Sequence, residues 1–241
     1  KKSRRWHLVQ LCDFVLDWFG PYHSSKPFPQ DVKNILVIRL DHTGDLICTL
    51  PALPVLKERF PAAKITVLTG IEGQAILKEN PFVDNLIIFR SNWFSRRNSF
   101  NPVELFSVLA KLRKIKFDVG YDFRGDLRNI LLMVLAGVPF RIGYGIAGGA
   151  GLLNEVGEYD EALHQVELNM KLLTGEVPDR QNLKPQIYLN SDEQEEARQI
   201  LAQGGIQKAD KLIAIHPEAG YSSKEWAEEN GYEVYLQKKR G

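Results

Sequence analysis

The stretch Val37–Leu53, VIRLDHTGDLICTLPAL, decides how this chain is read. An apolar run, Ile35–Ile38, stops at a polar knot of Arg39, Asp41, His42, Thr43, Gly44 and Asp45, and apolar residues then resume at helical spacing. Short apolar runs bounded by turn residues mark strands buried on both faces, and a 3.6-residue period marks a helix packed on one side. The stretch therefore reads as strand, polar loop, helix. The same unit recurs downstream. Strands are expected at Asn34–Leu40, Lys64–Leu68, Asn85–Phe89, Phe117–Asp122 and Arg141–Tyr144. Helices are expected at Leu46–Phe60, around Ala75–Leu77, at Val103–Lys114 and at Leu127–Leu135. Alternation of this kind predicts an α/β fold with an open parallel sheet.

In such sheets ligands bind beyond the carboxyl ends of the strands. Three polar clusters fall there: Arg39–Asp45, Asp122–Arg128 and His216–Lys224. The first lacks the Gly-Lys-Ser/Thr ending of a Walker loop and the G-x-G-x-x-G of a dinucleotide fingerprint. Gly44 would let backbone approach a ligand. Asp45 has two readings, a helix cap or a carboxylate kept ionised at a helix start and able to act as a base. In GYDFRGDLRNILL, Gly120–Leu132, Arg124 and Arg128 could form an anion site held by Asp122 and Asp126, or a closed ion-pair network. In the third cluster, Ser222, Ser223 and Lys224 beside a glycine-containing turn suit a phosphorylated ligand, and an ordinary loop rim is the alternative.

Other features bound the answer. The 241 residues carry a formal charge of +1 and are 44% hydrophobic, so a globular protein is expected and a nucleic-acid partner gains no support from charge. Two cysteines, Cys12 and Cys48, in unrelated contexts point to a reducing compartment and give no disulfide framework. Residues 1–20 place Lys1, Lys2, Arg4 and Arg5 before an apolar face containing Trp6, Leu11, Phe14 and Trp18. That is an interfacial helix touching an anionic membrane surface, or a helix packed on its own domain. The glycines of RIGYGIAGGAGLL, Arg141–Leu153, read as a flexible loop rather than a nucleotide site. His164 and Glu167 lack the further ligands that a metal site needs, so His164 is expected at a helix end or in a cleft. Ser191 opens a further helix to about Gln203, and Lys211–His216 reads as the first buried strand of a second unit.

Together these segments resemble glycosyltransferase family 9, the ADP-heptose:lipopolysaccharide heptosyltransferases. The resemblance runs from about Asn34 to Trp226. It is carried by ILVIRLDHTGDLICTLPALPVLKERFPAAKITVLTG, FDVGYDFRGDLRNILLMVLAGVPFRIGY, HQVELNMKLL and IAIHPEAGYSSKEW. It implies a GT-B fold of two Rossmann-like domains. Residues 1–30 would be an extension and linker, 31–190 a complete acceptor-binding domain, and 191–241 a linker helix with the truncated start of the donor-binding domain. It implies inverting, metal-independent glycosyl transfer in bacterial lipopolysaccharide biosynthesis, with no cofactor and with a nucleotide sugar such as ADP-heptose as donor. A lipopolysaccharide-core or related glycan would be the acceptor. The setting implied is cytoplasmic, peripheral on the inner face of the inner membrane.

Residue by residue, Asp45 corresponds to the family's base, and Lys224, with Ser222 and Ser223, to its donor-phosphate loop. Arg39, Asp41, His42, Thr43, Gly44, Asp122, Arg124 and Arg128 fall on the acceptor side. Glu218 stands where the family commonly has glycine, and the family's later Asp-x-Gly-x-x-His element does not follow. The expectation is therefore an incomplete chain, inactive alone. A non-catalytic module that binds a phosphosugar or glycan is the alternative.

Overall fold

The computed structural model describes residues 27–90, 101–179, 183–207 and 210–213. The chain divides into two compact units, Lys1–Asn190 and Ser191–Gly241. In the first unit, six parallel strands form one sheet: β1 (Asn34–Arg39), β2 (Lys64–Thr69), β3 (Asn85–Ile88), β4 (Val119–Asp122), β5 (Phe140–Gly143) and β6 (Glu155–Val156). Their order is β3-β2-β1-β4-β5-β6. The order reverses between β1 and β4, which pair in register from Ile35 with Val119 to Ile38 with Asp122. Side chains alternate across a strand, so β1 feeds two cores. Ile35 and Val37 join Ile65, Val67, Val119 and Ile142 on one face. Leu36 and Ile38 join Leu68, Leu112, Ile130 and Met133 on the other. Each such side chain contributes about 1.5–3 kcal/mol when fully buried.

The first face is covered by α1 (Thr43–Ile47), α2 (Ala52–Arg59), α3 (Glu72–Leu77) and α6 (Gln165–Thr174). The second is covered by α4 (Pro102–Ile115) and α5 (Leu127–Leu135). The helix expected over Leu46–Phe60 is two helices. Pro51 has no N–H to give to Ile47 and disfavours a helical residue before it. The intervening turn tightens to three-residue bonds, Thr49 N to Leu46 O at 2.9 Å and Ala52 N to Thr49 O at 3.0 Å. As a result α1 is a separate five-residue helix. The other expected elements of this unit are present with ends shifted by a residue or a few. β6 has no counterpart in the sequence reading: it is two exposed residues with no apolar run to announce it.

One further expectation is corrected. The glycine-rich loop is packed rather than open. A Cβ at Gly145 would lie 2.5 Å from the Ala150 Cβ, and Ala150–Leu152 form a 3-10 turn with Leu152 buried. In the second unit, α7 (Ser191–Gln203) has no buried residue. Of the strand expected over Lys211–His216, residues 211–213 belong to no strand, and Ile213 is 87% exposed; residues 214–216 lie outside the described residues. A strand buries its faces only with neighbouring strands, and the described residues of this unit supply none.

Candidate active site

The reversal point of the sheet brings the loops after β1 and β4 side by side. Arg39, the last residue of β1, is 2% exposed. Its Nε lies 3.0 Å from Asp41 Oδ1, and its Nη2 lies 3.6 Å from Asp45 Oδ1. The first contact is close but not aligned as a hydrogen bond. Arg39 Nε and Nη1 and Asp41 Oδ1 are buried without a hydrogen-bond partner. Asp41 is tied on its other oxygen by Arg124, whose Nη1 donates to Oδ2 at 2.9 Å. Burial raises the Asp41 carboxyl above its ordinary range. Arg39 opposes that shift, the Asp45 charge adds to it, and Arg124 does not cancel it.

Asp45 differs from Asp41. Its side chain is 34% exposed, and its guanidinium contact is the longer one. His42, with extended backbone, is the N-cap of α1, and Asp45 sits in the first turn. The capping reading is thus corrected: Asp45 is inside the helix. His42, Thr43 and Gly44 are exposed. A Cβ at Gly44 would meet no atom within 4 Å, so no packing inside the chain requires glycine there.

The β4 loop closes on itself. Asp122 is 0% exposed. Its Oδ2 accepts from Gly125 N and Asp126 N, both at 3.0 Å, and its Oδ1 from Asn129 Nδ2 at 3.0 Å and Arg124 N at 3.2 Å. Burial nevertheless pushes its pKa up to about 6 against those bonds. Gly125 has φ +74°, and a Cβ there would come within 2.3 Å of Tyr144 O, so the turn admits only glycine. Asp126 caps α5 through Arg128 N and is gripped by Arg128 Nε at 2.8 Å and Nη2 at 2.7 Å. Burial works against ionisation of Asp126, but the Arg128 bonds outweigh it and hold the carboxyl below its usual range.

A cavity of about 260 Å³ opens between the two loops. Its wall includes Arg39, Asp41 and Asp45 from the first loop and Arg124, Gly125 and Asp126 from the second. Ile146, Ala147, Tyr159 and Gln165 complete the lining. Three carboxylates thus face two guanidiniums, and both guanidiniums are already paired. Arg124 and Arg128 are thus each ion-paired to an aspartate, as in the closed-network alternative. Asp122 accepts from the loop backbone and the Asn129 amide.

Tyr159, Gln165 and Asn169 were missed by sequence reasoning, which stopped at their neighbour His164. His164 is the N-cap of α6 in a capping box with Glu167. The i, i+4 spacing of Gln165 and Asn169 in HQVELN was the available signal. Among the described residues no group of three His, Cys, Asp or Glu could hold a metal ion. No described helix is long and apolar enough to cross a membrane. Residues 1–20, Ser222, Ser223 and Lys224 lie outside the described residues.

Comparison with known proteins bears on this geometry. The family described as glycosyltransferase family 9 (heptosyltransferase) matches residues 105–240. A Haemophilus influenzae protein, named only provisionally as a glycosyltransferase, is 27% identical over 111 residues, 46% of this chain and 30% of that protein. A family 9 glycosyltransferase from Veillonella parvula superposes with a TM-score of 0.70 at 23% identity, covering 85% of this chain and 59% of that one. The ADP-heptose lipopolysaccharide heptosyltransferase II of E. coli gives 0.57 at 23% identity, covering 73% of this chain and 51% of that one. The likeness of the two structures is one of fold. This chain spans less than two thirds of the length of each of the three.

Proposed function

The chain belongs to glycosyltransferase family 9, and from that premise we propose that its cavity holds the acceptor of an inverting glycosyl transfer with Asp45 as the base. One observation carries the reading. Of the carboxylates around Arg39, Asp41 is buried between two guanidiniums, whereas Asp45 is a third exposed on the cavity wall and only loosely held. A general base needs a lone pair within reach of substrate. The first turn of α1 sets the Asp45 carboxylate on the cavity wall, beside the buried Arg39 guanidinium.

In this scheme a hydroxyl of the acceptor gives its proton to an Asp45 oxygen. The acceptor oxygen so freed attacks the anomeric carbon of the donor from the face opposite the leaving group. The bond to the nucleoside diphosphate breaks, and the configuration inverts. The departing diphosphate carries the negative charge, which the Ser222, Ser223 and Lys224 segment would receive. No metal is required where lysine and backbone amides take that charge. The heptosyltransferase neighbour supports ADP-heptose as donor and a lipopolysaccharide-core sugar as acceptor. Residues 1–20 would bring the protein to the cytoplasmic face of an anionic membrane. Sedimentation with anionic and neutral liposomes, with and without those residues, reads that contact directly.

The test supplies ADP-heptose, ADP-glucose and UDP-glucose in turn to the protein expressed from its whole gene, with lipopolysaccharide-core acceptors, and identifies products by mass spectrometry and NMR. Transfer from ADP-heptose with inversion is expected. Transfer from another donor instead sinks the heptose assignment. Retained anomeric configuration sinks the single-displacement mechanism.

A further inference from the structure

Asn169 is fully buried, and its Nδ2 donates to Cys48 O at 2.9 Å and lies 3.3 Å from Thr49 Oγ1. A carbonyl oxygen only accepts, so this amide has one permitted orientation. Its Oδ1 therefore faces away and takes the Nε2 of Gln165 at 2.9 Å. The Gln165 amide is oriented in turn: one N–H of its nitrogen goes to Asn169, and Oε1 is the side-chain acceptor left for the cavity that Gln165 lines. The same relay reaches Asp45, because Thr49 Oγ1 donates to Asp45 O at 3.0 Å. The two residues are thus set in place by one chain of hydrogen bonds joining α6 to the end of α1.

Among the accessible groups of the cavity, acceptors prevail. Asp45 and Gln165 Oε1 offer lone pairs, Arg124 is engaged by Asp41, and the Arg39 nitrogens that lack hydrogen bonds are buried out of reach. A phosphate or carboxylate would add more acceptors, whereas a pair of neighbouring hydroxyls supplies the donors. Tyr159 adds an aromatic face, braced edge-on by Tyr144 with ring centroids 5.2 Å apart, and the Tyr144 hydroxyl is anchored on Leu168 O at 2.6 Å. Such a face suits the C–H side of a sugar ring.

We propose that Gln165 determines acceptor specificity by receiving the hydroxyl adjacent to the one that faces Asp45, so that the site takes a neutral vicinal diol of a sugar. The inference rests on the acceptor-site reading and deepens it. Asn169 is the positioning residue that fixes which end of the Gln165 amide the sugar meets.

The experiment titrates the protein with methyl α-D-mannopyranoside and its monodeoxy derivatives, following side-chain amide resonances by NMR. The mannoside is expected to move the Gln165 resonance, and Gln165→Met to weaken binding by about 5–10-fold, the worth of one neutral hydrogen bond. For one monodeoxy derivative, wild type and variant should bind alike. Equal binding of the mannoside by Gln165→Met overturns this inference and leaves the acceptor site standing. No binding of any glycoside by the wild type overturns both. If Gln165→Met does not fold, the wild-type Gln165 resonance decides: a shift that is the same with every monodeoxy derivative as with the mannoside overturns the proposal.

Discussion

The loops after β1 and β4 both carry aspartate, arginine and glycine at the end of a strand, yet they are finished differently. Asp122 has four hydrogen bonds and no exposure, and Asp126 is locked by the fork of Arg128. The β1 loop leaves Asp45 a third exposed and Arg39 with buried nitrogens lacking hydrogen bonds. A fully bonded carboxylate such as Asp122 fixes backbone. An unsaturated cluster holds interaction free energy for something outside the chain. The lesson is that charge at a strand end does not mark a site; incomplete pairing does.

Substitutions can break that contrast. The largest effect is expected at Asp45. Asp45→Asn should lower kcat by roughly 10²–10⁴-fold, the range for a lost general base, while the thermal midpoint stays close to wild type. Unchanged turnover in a folded variant would remove Asp45 from the chemistry.

Asp122→Ala should do the opposite, lowering stability by about 3 kcal/mol or more because three backbone N–H groups and the buried Asn129 amide lose their acceptor. Urea denaturation measures it, and a loss near zero would mean that the β4 loop holds itself without the carboxylate.

The two loops also differ in response to pH. With Asp122 at about 6 in the folded state and roughly 4 when unfolded, the folded state holds more protons between those values. This group's contribution to stability is therefore greatest below about pH 4 and declines as pH rises to about 6, by up to about 3 kcal/mol. Asp126 has the opposite sign: its depressed pKa contributes stability that is lost as pH falls through its folded value. Carboxyl 13C NMR should show Asp122 titrating near pH 6 and Asp126 below the usual aspartate range. A reversed order would contradict the burial difference.

The smallest effect is expected at Arg128→Lys. The bidentate grip on Asp126 is lost, but the arginine side chain is 40% exposed, so a cost of about 1 kcal/mol or less is anticipated by the same denaturation assay. A larger cost would show that the ion pair, not Asp122, carries the β4 loop.

Much of this was legible in the chain. Ile35–Ile38, Ile65–Leu68 and Leu127–Leu135 announce themselves because strand and helix periods are local properties of the sequence. The same holds for the placing of polar knots at strand ends, since a buried run must end before charge begins. Asp45 was therefore visible as a candidate. Its role as helix cap or free carboxylate was open, because both readings need an aspartate at the same spacing. The break at Pro51, which gives α1 its own axis, was legible in principle, since proline removes a definite hydrogen bond.

What only the tertiary structure decided is pairing across sequence distance. Asp41 and Arg124 are 83 positions apart, and Asn169 reaches Cys48 across 121. No local pattern encodes which arginine a given aspartate will meet or which amide will be turned toward a cavity. Those outcomes follow from the strand order, which sets β1 beside β4, and from the packing of α6 over the end of α1. By itself the sequence determined a parallel α/β sheet, a family resemblance and a set of chemically able residues. Folding determined which of them remained unsatisfied, because saturation depends on neighbours that only the sheet brings together.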